Sequence, residues 1–145
     1  MKKILLGIIA VLVLIQFIKP QKNNSKDYTN DITTELQIPD EVQQLIKTSC
    51  ADCHSNSTVY PWYNKIAPFS WYLAQHINEA KEHLNFSEWT TYNKDQKNHI
   101  VKELKEVIKN REMPLTSYLL IHENAALNES QNKLFLDWIN TIEKY

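Results

Sequence analysis

The sequence predicts an all-α domain set behind an apolar N-terminal helix. Two observations carry that expectation: from Ile38 onward apolar residues recur at three- and four-residue steps, and no stretch alternates long enough to make a strand. The lone Gly7 excludes the glycine-rich loops that close backbone amides around phosphates. A content of 43% hydrophobic and 23% charged residues fits one small globular unit. With 16 basic and 17 acidic side chains, the net charge of -1 offers nucleic acid no whole-molecule attraction, so no nucleic-acid partner is expected.

Residues 1–19 read as a signal or anchor segment. Lys2 and Lys3 precede an apolar run from Ile4 to Ile18 in which only Gln16 is strongly polar, and Lys19 and Pro20 close it. The residues before Pro20 include no small pair suited to cleavage, so the segment is expected to persist as an anchor. As a helix the run would span roughly 22 Å, and flanking lysine stems would have to extend it toward the ~30 Å of a hydrocarbon core. The expectation is a single N-terminal anchor in a bacterial inner membrane, with the remaining chain in the periplasm. Residues 20–37, with Asn23, Asn24, Ser25, Lys26 and Asp27, are too polar to offset the entropy of ordering. They read as a flexible linker with a reach of roughly 23 Å.

Residues 38–145 form the folded domain. Pro39, Asp40 and Glu41 suit a helix start, and Val42, Leu45 and Ile46 make one apolar face running into Cys50. Pro61 and Pro68 bracket an aromatic loop with Tyr60, Trp62 and Tyr63. Phe69, Leu73, Ile77, Ala80 and Leu84 mark a second helix, and Ile100, Val101, Leu104, Val107 and Ile108 a third. The third is expected to end near Asn110, with that residue as a left-handed cap in place of glycine. Asn128 and Gln131 form a capping-box pair ahead of Leu134, Phe135, Trp138, Ile139 and Ile142. Four helices with long connections leave room inside for a large apolar cofactor.

Both cysteines lie in Cys50-Ala51-Asp52-Cys53-His54, the CxxCH pattern of covalent haem attachment. Two randomly placed cysteines would give this spacing with a following histidine roughly once in two thousand sequences of this composition. On a helical turn, residues three apart share a face, so both thiols can form thioethers to one haem while His54 ligates its iron. A CxxC redox pair would need a βαβ context, and nothing reads as strand. A zinc site would need a fourth ligand beyond Cys50, Cys53 and His54, and no second CxxC or HxxxH cluster is present.

Met113 is the only methionine besides the initiator. Pro114 biases it out of the helical region, which displays its thioether from an extended segment as a candidate sixth ligand. His76 and His83 compete for that role from the second helix. His99 reads as solvated, and His122 is ambiguous. Tyr60, Trp62, Tyr63 and Trp71 can contact a macrocycle or donate to its propionates, although core packing is the commoner role for such residues.

The pattern CADCHSNSTVYPWYNKIAPFSW, followed by HLNFSEW, MPLTSYLLIH and LFLDW, resembles a family of membrane-tethered haem-binding domains related to small monohaem c-type cytochromes. The resemblance covers roughly residues 40 to 140. It implies a cytochrome c-like bundle of about four helices around one covalent haem c. Thioethers at Cys50 and Cys53, proximal ligation by His54 and distal ligation by Met113 follow from it, and the interval from His54 to Met113 is similar to that of small cytochromes c. Two positions depart from the pattern: Val42 stands where a glycine usually lets the first and last helices cross closely, and Asn110-Arg111-Glu112 lacks the glycine often found before the methionine. The expected function is one-electron transfer with redox proteins at the membrane. The alternative is a five-coordinate haem sensor or peroxidase-like protein with an open distal site.

Overall fold

The computed structural model describes residues 1–143. Among these residues seven α-helices run in order: α1 Lys2–Leu14, α2 Asp40–Ser49, α3 Ala51–His54, α4 Phe69–His83, α5 Lys94–Lys109, α6 Thr116–Leu119 and α7 Glu129–Thr141. Short 3-10 turns occupy the connections, and among the described residues the one extended pairing is an isolated bridge between Asn24 and Ser57. The all-helical expectation therefore agrees with the structure.

Three helices build the core. Val42, Leu45 and Ile46 of α2, Ile100, Val101 and Ile108 of α5, and Phe135, Trp138 and Ile139 of α7 are all buried. α7 packs against both α2 and α5. It starts where its capping residues require: Asn128 Oδ1 accepts from the Gln131 amide at 2.9 Å, and Gln131 Oε1 accepts from the Asn128 amide at 3.0 Å. α5 opens on the same device, built from Asn93 and Gln96. Val42 is wholly buried, so the first and last helices of the domain meet over a valine side chain.

α4 has a different environment. It packs on α3 and on the turn Trp62–Lys65, and only Ser70 and Ile77 along it are buried. Phe69 and Tyr72 stand more than half exposed. Its apolar stripe is thus covered by protein at Ile77 and Leu84 and open at Phe69, in contrast to those of α2, α5 and α7.

Three expectations change in the structure. α1 has 13 residues and spans about 20 Å, against the ~30 Å of a hydrocarbon core. After the turn Ile15–Phe17 the backbone becomes extended at Ile18, and Gln16 is held to the loop before α4 by bonds to both the carbonyl and the amide of Ala67. Among the described residues no helix is long and apolar enough to cross a membrane. The expected N-terminal membrane anchor, and the inner-membrane placement of the domain drawn from it, are accordingly not supported.

Residues 20–37 are laid along the domain. Asn23 bonds Ser55, Thr58, Tyr60 and Lys81, Ile32 is buried in the core, and Glu35 forms an ion pair with the buried Lys97 at 2.6 Å. Composition alone misjudges such a segment, because its polar groups are matched by specific partners from residues 55–58 and from α4 and α5.

The left-handed residue after α5 is Arg111, with φ 58°, while Asn110 remains helical. Arg111 N donates to Ile108 O and Glu112 N donates to Val107 O, which is a Schellman closure with arginine in the position usually held by glycine. The Arg111→Gly variant is expected to gain about 0.5 kcal/mol in a urea melt. Relief of Cβ strain exceeds the added chain entropy there, and the exposed contact with Glu129 contributes little.

Candidate functional site

The segment Cys50 to His54 lies between two clefts. Cys50 breaks the helix with φ -127°, so α2 stops at Ser49 and the chain resumes as the single turn of α3. That kink places the motif against α4 and beneath the segment following α5. One cleft, of about 540 Å³, is bounded by α4 and α5 and includes Ala80, Leu104 and Val107. The other, of about 400 Å³, is bounded by the aromatic loop, α4 and α6 and includes Trp62, Phe69 and Leu73. Cys50, His54, His76 and Met113 line both. Each volume is in the ~300–1,000 Å³ range of small-molecule and cofactor sites. Phe69, Leu73 and Ala80 of the α4 stripe are therefore part of a cleft wall.

His54 is oriented from outside its own helix. Its Nδ1 lies 2.9 Å from the Leu84 carbonyl oxygen. A carbonyl can only accept, so Nδ1 carries the proton and Nε2 keeps the lone pair, the tautomer a metal-ligating imidazole needs. Burial holds the His54 pKa below the usual range, which favours the same neutral form. The edge of Phe86 packs near the ring, with centroids 6.5 Å apart.

Both cysteines are free thiols. Burial, followed by the neighbouring Cys53, pushes the Cys50 pKa up to about 12. Burial, followed by Asp52, pushes Cys53 up to about 11. Among the described residues, no group of three or more His, Cys, Asp or Glu side chains could hold a metal ion. A bare cation finds no cage here. Iron whose equatorial ligands come from a macrocycle needs from the protein only axial donors and apolar walls, which suits this donor set.

Met113 lies in the irregular stretch between α5 and α6, where the following proline keeps it out of a helix. The histidines separate by surroundings. His76 faces both clefts with its Nδ1 3.0 Å from Tyr72 O, and His83 touches only the larger cleft from an exposed position. His99 is exposed and pairs with Glu103. His122 stacks on Tyr118 at 4.2 Å between ring centroids, and its Nε2 lies 3.1 Å from the Tyr63 hydroxyl.

Sequence reasoning missed two parts of the site. The Leu84 carbonyl is a backbone atom without a side-chain signature. Asp52, inside the motif, accepts from the Tyr118 hydroxyl at 2.9 Å and from the Val59 amide at 3.1 Å. Of the aromatics singled out from sequence, Trp62 and Tyr63 line a cleft, whereas Tyr60 bonds the Asn23 amide and Trp71 bonds the Ile18 carbonyl. Neither a curated protein nor a solved structure matches the chain. One family does, described as "Haem-binding domain", over residues 10–141.

Proposed function

The chain belongs to the haem-binding domain family and so binds haem, and from that premise we propose that it holds one haem c through Cys50 and Cys53 and works as a one-electron carrier. The bound group would supply the ferric–ferrous couple of its iron. The protein supplies everything else. Cys50 and Cys53 offer two thiols one helical turn apart, His54 offers a neutral imidazole nitrogen, and Met113 offers a soft thioether. Apolar residues from α4, α5 and the aromatic loop would lower the polarity around the iron and so bear on its potential.

The observation that carries this reading is the bond from His54 Nδ1 to Leu84 O. It fixes the tautomer and orientation of an imidazole that would hold the iron inside a cleft of cofactor size. Met113 would offer the iron a soft thioether, which would favour the ferrous state as a carrier requires.

The test is expression with a haem-attachment system, followed by visible spectra of both oxidation states. The ferric protein is expected to show a weak sulfur–iron charge-transfer band. Met113→Ala is expected to abolish it, to lower the midpoint potential by on the order of 100 mV, and to open the ferrous protein to carbon monoxide. His76 lines both clefts as well and supports a second reading. In that case the band is absent from the parent protein and the spectrum changes in His76→Ala instead. Prompt carbon monoxide binding by the unmodified ferrous protein would instead indicate an open distal site.

A further inference from the structure

The stretch that carries Met113 is tied to the attachment motif itself. α6 has four residues, too few to be stable alone, because a single helical turn does not recover its nucleation cost. Its hold on the domain comes from side chains. The Tyr118 hydroxyl donates to Asp52 Oδ2 at 2.9 Å, and Asp52 sits between Cys50 and Cys53 in the motif. One turn further on, His122 meets the Tyr63 hydroxyl, and Ala125 is buried. On the other side of Met113, the closure of α5 fixes Arg111 and Glu112 by backbone bonds, and Asn132 Nδ2 donates to the Ile108 carbonyl. Met113 is therefore bracketed by the end of α5 and by the Tyr118–Asp52 bond.

We infer that the Tyr118 hydroxyl, clasped to Asp52, is the positioning group that sets Met113 at the cofactor cleft. The inference rests on the reading of Met113 as distal ligand. Tyr118 is suited to the task because its hydroxyl stays protonated, burial and the Asp52 carboxylate both pushing its pKa well up. The bond is charge-assisted and half-buried, which places it among the stronger side-chain hydrogen bonds. Asp52 in turn is held by the Val59 amide, and Thr58 Oγ1 donates to the Asp52 backbone carbonyl. Any displacement of the methionine segment is thus resisted by the same turn that carries the thiols and the imidazole.

Tyr118→Phe tests this, since the ring and its stacking on His122 are kept and only the hydroxyl is lost. Without cofactor, amide hydrogen exchange across residues 115–122 is expected to quicken by about tenfold, the consequence of losing one charge-assisted bond. In the haem-loaded protein, carbon monoxide uptake by the ferrous form is expected to rise about tenfold and the sulfur–iron band to weaken. Asp52→Asn keeps an acceptor oxygen without the charge and is expected to fall between parent and Tyr118→Phe. A merely structural role would lower the melting temperature and leave carbon monoxide kinetics unchanged. If the band disappears in Met113→Ala but both clasp variants keep parental kinetics and band, the inference fails while the distal assignment stands. If the parent itself lacks the band, the distal assignment fails and the positioning role fails with it.

Discussion

Replacing both Cys50 and Cys53 with serine is expected to leave a protein from which haem is extracted by acidified organic solvent, while the parent keeps its haem bonded through the same treatment. Intact mass reads the difference as the presence or absence of one macrocycle per chain. The reasoning is geometric. The two thiols are free, separated by one helical turn, and both open onto the same cleft. Their high pKa values mean that the cleft protects them as thiols and does not activate them. His54 remains bonded to Leu84 O in the double variant, so residual non-covalent binding with a shifted spectrum is the expected phenotype. Each single replacement should retain one thioether and resist extraction. Parent protein matured in a competent host yet releasing its haem quantitatively would show that the CxxCH spacing is not used for attachment.

Phe135→Ala is expected to cost about 3–5 kcal/mol and to lower the melting temperature by roughly 10–16 °C. Phe135 has no exposed surface, stacks on Trp138 with ring centroids 5.7 Å apart, and sits where α7 packs on α2 and α5. No backbone rearrangement can refill that space cheaply, since Val42, Ile100, Ile108 and Ile139 around this core are themselves fully or almost fully buried. Such a loss is a large share of the ~5–15 kcal/mol that stabilises a typical domain. Phe135 lines neither cleft, so the fraction that remains folded should keep the parental absorption spectrum. A melt shifted by only a few degrees would mean that the three-helix core is less tightly packed than its burial implies. A changed spectrum in the folded fraction would mean that the core and the cleft are coupled.

These two outcomes separate the halves of the molecule. α2, α5 and α7 hold themselves together by burial, whereas α4, α6, the aromatic loop and a second face of α5 surround space. Phe69 and Tyr72 are more than half exposed along a helix whose spacing is that of a core-facing stripe. Periodicity reports that a face is apolar and says nothing of whether protein or cofactor covers it. That ambiguity explains why α4 could be placed from sequence while the cleft along it could not be outlined.

What the sequence by itself determined is whatever depends on neighbours three or four residues away. The three-residue spacing of Cys50 and Cys53 is of this kind, as are the capping box at Asn128 and Gln131 and the buried faces of α2, α5 and α7. These are one-turn relations, and one helical turn has a fixed geometry whatever surrounds it. Only the tertiary structure decided the rest. The Leu84 carbonyl that orients His54 is 30 positions away, and the tyrosine that clasps Asp52 is 66 away. The partners that order residues 20–37 come from α4, α5 and the loop after α3. The helix preceding that segment ends after 13 residues, short of the expected span. Contacts of such separation leave no period in the chain, because they depend on how whole helices are placed and not on the rise and turn of any one of them.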